Sequence, residues 1–137
     1  MTYERLTSGH VLGLYDLTQA NAADITPELA AELVRCGGWA AVEGERPLAI
    51  GGIFDMGRGR GLAWAWMTRA WRKHAREITA RVAEEFACSD FVRIEAAVKC
   101  GFAGGESWLK RLGFTMEAER MAKWDGADDF SLWARVK

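Results

Sequence analysis

The stretch that decides the fold is "LAWAWMTRAWRKHAREITARVAEEFACSDFVRIEAAV", residues Leu62 to Val98. Its two ends, Leu62 to Met67 and Phe91 to Val98, are rich in the aromatic and β-branched residues of strands. Between them, apolar residues recur with the spacing of one face of an amphipathic helix: Trp71, Ala75, Ile78, Val82 and Phe86. A strand, a long helix and a strand form a βαβ unit, so we expect parallel neighbouring strands.

The residues before this unit predict a short strand, two helices and an antiparallel meander. The strand is "TYERL", and "SGHVLGLYDLTQANAADI" has apolar residues at helical spacing with Ser8 as its N-cap. The second helix is "TPELAAELVRC", with Thr26 as N-cap and Pro27 at the first helical position. The meander follows at hairpin spacing, in strands Trp39 to Glu43, Pro47 to Phe54 and Leu62 to Met67.

The residues after the unit predict a short helix and a final hairpin. "ESWLKRLG" is a helix closed by Gly113, which supplies the left-handed residue after the last turn. "FTMEAERMAKW" and "DFSLWARV" are strands joined at an Asp-Gly turn. We find no repeat or linker, so residues 1–137 are predicted to be one α/β domain.

Composition excludes several classes of function. The formal net charge is −1, whereas a general nucleic-acid binder needs a strong positive excess. The three cysteines are far apart, which argues against a disulfide framework or a metal site and fits a reducing cytoplasm. No apolar run approaches the length of a membrane span.

The order of the predicted elements resembles the GNAT (Gcn5-related N-acetyltransferase) fold over nearly the whole chain. The sharpest local match is "GGESWLKRLGFTMEAE", which is similar to the segment where a short helix ends in a Leu-Gly-Phe turn. The resemblance implies an α/β (α+β) fold with one GNAT-like domain and a mixed, mostly antiparallel sheet. A central parallel strand pair would splay around a cofactor-type cleft, with helices on both faces.

Five further pieces together resemble the small GNAT-like proteins of tailed phages and prophages, some of which are internal virion proteins. They are "DITPE", "WAAVEGERPLAIGGI", "LAWAWMT", "SWLKRLGF" and "WDGADDFSLWAR". This resemblance implies a phage virion protein or a host protein as partner. It places the chain in the host cytoplasm or in the phage particle.

The GNAT resemblance also implies an acetyl-CoA or CoA site at the end of the splayed strand and the start of the long helix. The corresponding residues are Trp66, Met67, Thr68, Arg69, Arg72, Lys73, His74, Ala75 and Arg76. Family enzymes bind the pyrophosphate there with backbone N–H groups of a Q/R-x-x-G-x-G/A turn. Here the central glycine would be Arg72 or Lys73. The basic side chains either replace the backbone cradle by charge pairing or form a solvated helix face.

The residues for catalysis are less well matched. The family's tyrosine acid falls on Leu109 and its asparagine on Phe102, so both polar positions have become apolar. Candidate general bases are Glu43, Asp55 and Glu95, each of which could equally be a hairpin end or a solvated strand residue. The sequence therefore leaves two functions open. One is an acyl-CoA-dependent N-acetyltransferase, with a degenerate cofactor motif, that acts on a small-molecule or protein amine. The other is a non-catalytic GNAT-like virion or host-interaction protein.

Overall fold

The strands of the computed structural model, which describes residues 1–18 and 25–137, form one mixed sheet. In chain order they are β1 (Thr2–Arg5), β2 (Trp39–Glu43), β3 (Arg46–Gly57), β4 (Arg60–Met67), β5 (Arg93–Lys99), β6 (Thr115–Met121) and β7 (Phe130–Val136). Across the sheet their order is β1-β2-β3-β4-β5-β7-β6. β4 and β5 are parallel, whereas β1–β2, β2–β3, β5–β7 and β6–β7 are antiparallel. The parallel pair and the mostly antiparallel sheet confirm the predicted fold class.

The helices follow the predicted order, with one additional 3-10 helix. They are α1 (Ser8–Leu12), α2 (Pro27–Arg35), the 3-10 helix (Arg69–His74), α3 (Ala75–Cys88) and α4 (Ala103–Arg111). At α2, Thr26 Oγ1 accepts the Leu29 N–H at 3.1 Å and Pro27 occupies the first turn. The predicted start of α2 is therefore confirmed.

The first helix is shorter than predicted and begins differently. Its N-cap is Thr7, not Ser8, because Thr7 Oγ1 accepts the His10 N–H while His10 Nδ1 accepts the Thr7 N–H, a reciprocal pair that fixes the start. The helix ends at Leu12, and Leu17 forms an isolated antiparallel bridge with Thr68. The predicted continuation to Thr18 is therefore wrong, and its remainder at residues 19–24 lies outside the described residues.

The apolar stripe predicted for the long helix is confirmed only within the α-helical part of that segment. Ile78, Val82 and Phe86 are buried. Trp71 lies in the preceding 3-10 helix and is half-buried. A 3-10 helix has three residues per turn, so Trp71 does not continue a stripe of period 3.6.

The parallel strand begins later than predicted. β5 starts at Arg93, whereas the predicted strand began at Phe91, and Val92 is 54% exposed. The Val92 N–H instead donates to the Gly59 carbonyl at 2.8 Å, outside the strand ladder. Ile94 and Ala96, within the strand, are buried.

The first of two compact units in the chain comprises Met1–Phe54 and Trp64–Ile78. Its core is a cluster of buried aliphatic side chains from β2, β3, α2 and the segment around α1, and Trp64 and Trp66 pack against that cluster. The Trp64 ring is stacked with Phe54 at 5.9 Å between centroids. These two tryptophans are therefore part of the packing of this unit.

The second unit comprises Asp55–Ala63 and Thr79–Lys137. Phe86 and Phe114 meet edge to face at 5.6 Å, and Trp133 is 2% exposed with its Nε1 donating to Ser131 Oγ at 2.9 Å. α4 ends as predicted, because Gly113 has φ +88° and the following Phe114 is buried.

Candidate functional site

The predicted cofactor segment lies entirely in the first unit, where β4 ends and the chain turns into the 3-10 helix and α3. Thr68 anchors this turn. Its side chain is fully buried, and both its N–H and its Oγ1 donate to the Leu48 carbonyl of β3 at 2.9 Å. The position of the basic residues that follow is therefore fixed by the sheet.

The 3-10 helix changes which backbone groups are available. The Trp71 N–H donates to the Thr68 carbonyl at 3.2 Å, and the Ala75 N–H donates to the Arg72 carbonyl. A phosphate cradle needs unpaired N–H groups that point at the ligand. These two donors are already used inside the chain, so they cannot contribute to a backbone cradle.

At the end of β4, the edge that faces away from β3 is paired as well. Successive residues of a strand direct their backbone groups to opposite edges, and Thr68 faces β3. Met67 and Arg69 therefore face the other edge, where the Thr18 N–H donates to the Met67 carbonyl at 2.9 Å. At the same edge the Arg69 N–H donates to the Asp16 carbonyl at 3.0 Å. A segment preceding α2 thus forms an isolated antiparallel bridge at the end of β4.

The basic side chains of the segment fall into two groups. Arg69 forms an ion pair with Asp16, and His74 Nε2 lies 2.6 Å from Glu43 Oε2. The other predicted cations are exposed, and no ion pair holds them within residues 1–18 and 25–137: Arg72, Lys73 and Arg76. This set of cationic donors suits an anion such as a diphosphate, and it consists of side chains.

Two residues that were predicted for different roles are in contact. Glu43 was a candidate base and His74 a candidate cofactor residue, and they share a hydrogen bond between the end of β2 and the end of the 3-10 helix. That hydrogen bond holds the pKa of Glu43 below its ordinary value, and the charge of Lys73 acts in the same direction. A carboxylate with a lowered pKa is a weaker base.

The other two candidate bases lie in the second unit and also have partners. Asp55 Oδ1 accepts the Gly57 N–H at 2.8 Å and so closes a turn. Glu95 accepts a hydrogen bond from Arg93 Nε at 2.9 Å and lies 3.4 Å from Arg60 Nη2. Glu117 and then Glu95 hold the pKa of Arg93 above its ordinary value. The structure therefore gives all three carboxylates a structural contact.

Leu109 and Phe102 occupy the positions that correspond to the family's polar residues. Leu109 is 6% exposed on α4, and Phe102 is the residue before that helix and makes no side-chain cap bond. Sequence reasoning missed Asp16 and Leu17, because Thr18 had been assigned to a helix. Nothing in their local pattern indicates a strand partner so far along the chain.

Two further observations concern metals and membranes. Within the part of the chain that the structure describes, no group of three or more His, Cys, Asp or Glu side chains could hold a metal ion. Among those same residues, no helix has both the length and the apolar character needed to cross a membrane.

Comparison with known proteins bears on the fold. No protein-family model and no curated protein matches the chain. Among solved structures, the ribosomal-protein-alanine N-acetyltransferase from Brucella melitensis is 13% identical and covers 100% of both chains, with a TM-score of 0.74. An acetyltransferase of the GNAT family from Streptococcus pneumoniae is 13% identical and covers 99% of both chains, with a TM-score of 0.70.

A third similar structure contains a ligand. It is RimL, a ribosomal α-N-protein acetyltransferase in complex with coenzyme A, which is 12% identical and has a TM-score of 0.71. The match covers 98% of this chain and 92% of RimL. Agreement over whole chains at such low identity is agreement in fold, and the protein described here has the GNAT acetyltransferase fold.

Proposed function

We propose that the chain is an acyl-CoA-dependent N-acetyltransferase that holds its cofactor with cationic side chains instead of a glycine-rich backbone cradle. The observation that carries this proposal is the group of exposed cations Arg72, Lys73 and Arg76 at the start of α3. The amine acceptor would be a small molecule or a protein amine; the names of two of the similar structures give a protein amine.

Helix electrostatics support a ligand at this group. Cations in the first turn of a helix oppose its dipole, so a basic first turn is unfavourable by itself. Arg76 shares the first turn of α3 with Glu77, and Arg72 and Lys73 lie in the 3-10 helix that precedes it, so positive charge is in excess there. A bound diphosphate would reverse the sign of this interaction, because it brings negative charge to the helix N-terminus.

Bound acyl-CoA would supply the activated acyl group, and the chain would contribute binding and orientation. Glu43 is a poor base because its pKa is lowered, and Leu109 has no proton to donate. The acceptor would therefore enter as the neutral amine and attack the thioester carbonyl, so that a C–N bond forms and the C–S bond breaks. CoA would leave as the thiolate, and the amine nitrogen would lose one proton to water. We expect the rate to rise with pH up to the pKa of the acceptor amine. Glu43→Gln should leave that profile unchanged.

The test is a calorimetric titration of the protein with acetyl-CoA and with CoA. We expect saturable binding in the micromolar range that the double variant Arg72→Ala with Lys73→Ala weakens at least tenfold, since charge-assisted contacts contribute about 1.5–3 kcal/mol each. A control pair, Arg5→Ala with Arg111→Ala, removes the same charge from exposed positions on β1 and α4. It should bind as the unmodified protein does. An equal loss of CoA affinity in both double variants would refute a specific cation site.

A second candidate is a non-catalytic GNAT-like protein of a phage or prophage, acting in the virion or on a host protein. The apolar Leu109 and Phe102 and the paired edge of β4 favour it. Such a protein would remain in the host cytoplasm or be packaged in the particle. The absence of any heat or thermal shift at millimolar acetyl-CoA, in the unmodified protein and in Asp16→Ala alike, would support this candidate and refute the first.

A further inference from the structure

The segment Tyr15–Thr18, which we call the strap, is attached to the first unit at each of its residues. The Tyr15 ring lies under the Arg46 guanidinium at 4.5 Å, and the Asp16 carboxylate pairs with Arg69. Leu17 is 9% exposed and belongs to the core cluster of the first unit. Thr18 donates to the Met67 carbonyl through its N–H at 2.9 Å and through Oγ1 at 3.2 Å.

The strap uses the groups that an extended ligand would need. At the edge of β4 that faces away from β3, Met67 has a carbonyl acceptor and Arg69 has an N–H donor. Both groups are hydrogen-bonded to the strap. A chain of amides that lies beside a strand edge binds through such a donor and acceptor. The pantetheine arm of CoA is a chain of this kind, so it and the strap would compete for the same two groups.

The strap also neutralises a cation that a phosphate group could otherwise bind. Arg69 is the first basic residue after β4, and its guanidinium is neutralised by Asp16. Release of the strap would free the Arg69 side chain for a phosphate oxygen, beside Arg72 and Lys73. One movement therefore exposes a backbone acceptor, a backbone donor and a charge.

We propose that the strap is an internal competitor of acyl-CoA, which binds only when residues Tyr15–Thr18 leave the edge of β4. This inference rests on the proposed function, since it concerns the same site. The apparent dissociation constant is then the intrinsic one divided by the fraction of molecules with an open strap. Variants that tighten the strap weaken binding, and variants that loosen it strengthen binding.

The first test fixes the strap to β4 reversibly, with an engineered disulfide. Leu17 and Thr68 are bridge partners whose flanking residues make the hydrogen bonds. In such a narrow antiparallel pair the Cα atoms are about 4.5 Å apart, which a disulfide spans. We would combine Leu17→Cys and Thr68→Cys with serine at the three native cysteines, Cys36, Cys88 and Cys100. CoA affinity, measured by calorimetry, should fall at least tenfold on oxidation and recover on reduction.

The second test loosens the strap and does not depend on a buried substitution. Asp16→Ala removes the exposed ion pair with Arg69, which should tighten CoA binding about two- to fivefold, the range for such pairs. Alanine also avoids the φ of +58° at Asp16, which loosens the strap further. Glu32→Ala, which removes the same charge from the exposed pair with Arg35, is the control and should have no effect. The pair is exposed and is itself screened by salt, so the part of the gain in Asp16→Ala that comes from it should shrink at about 0.5 M salt.

The outcomes separate the two proposals. If the locked, reduced and Asp16→Ala proteins all bind CoA equally well, the strap does not compete and this inference is wrong, while CoA binding stands. If Asp16→Ala binds and the unmodified protein does not, the inference holds in its strongest form. If no form binds CoA, the proposed function fails and the inference fails with it.

Discussion

Replacing Gly51 by alanine should destabilise the first unit strongly, because there is no space for a methyl group. Gly51 is buried on β3 opposite Trp39 of β2. A Cβ at this position would lie 2.5 Å from Trp39 Cζ2 and 2.8 Å from the backbone carbonyl oxygen of Trp64. The indole could tilt, but the carbonyl belongs to β4 and cannot rotate away without disturbing the sheet.

The size of the effect follows from this geometry. Inserting one carbon into a well-packed site costs about 1–3 kcal/mol, and the backbone contact places Gly51→Ala near the upper end. For a chain of this length, about 3 kcal/mol corresponds to a fall in the thermal midpoint of roughly 10 °C. The matched control is Gly104→Ala on α4, where a Cβ would meet only Phe102 at 3.5 Å. Alanine is the better helix former, so this variant should gain about 0.5–1 kcal/mol.

Urea and thermal unfolding, followed by far-UV circular dichroism, measure both variants. The account predicts opposite signs for the same chemical change. A Gly51→Ala protein as stable as the unmodified one would refute the packing of β2, β3 and β4 described here. That packing also sets the position of Met67 and Thr68, so the site geometry would fail with it.

Three other predictions concern single contacts. Ser131→Ala should cost about 1–3 kcal/mol in urea unfolding, because it leaves the buried Trp133 N–H without its acceptor. Since the His74 hydrogen bond lowers the pKa of Glu43, that contact stabilises the fold above the ordinary pKa of 4.5 and is lost as the pH falls further. The stability of Glu43→Gln should therefore depend less on pH than that of the unmodified protein at acid pH, and identical profiles would contradict this. Gly113→Ala should lose about 1 kcal/mol, because φ is +88° there and alanine avoids that region.

Where residues close together in the chain decide the local structure, that structure could be predicted from the sequence. The stripe of Ile78, Val82 and Phe86, the N-cap at Thr26 and the turn at Gly113 are each set by local spacing, and all three are as predicted. The parallel pairing of β4 and β5 followed from the same reasoning, because a helix between two strands allows few topologies.

The elements that carry the predicted cofactor residues were predictable, but the contacts of those residues were not, and their role in binding a cofactor stays a prediction. The basic residues lie between β4 and the body of α3, as the strand-helix pattern predicts, yet the 3-10 helix over Arg69–His74 and the hydrogen bond between His74 and Glu43 were not foreseen. Both depend on tertiary neighbours. The bridge between Leu17 and Thr68 joins residues that are distant in the sequence, and no periodic pattern could reveal it.

The most direct test of the central claim is the change in thermal midpoint with acetyl-CoA. If the cations at the start of α3 hold the cofactor with a dissociation constant of about 10 μM, about 1 mM ligand should stabilise the protein by about 2.7 kcal/mol. That corresponds to a rise of roughly 10 °C, which Arg72→Ala with Lys73→Ala should largely remove. No rise at that concentration of acetyl-CoA, in the unmodified protein and in Asp16→Ala alike, would contradict the account.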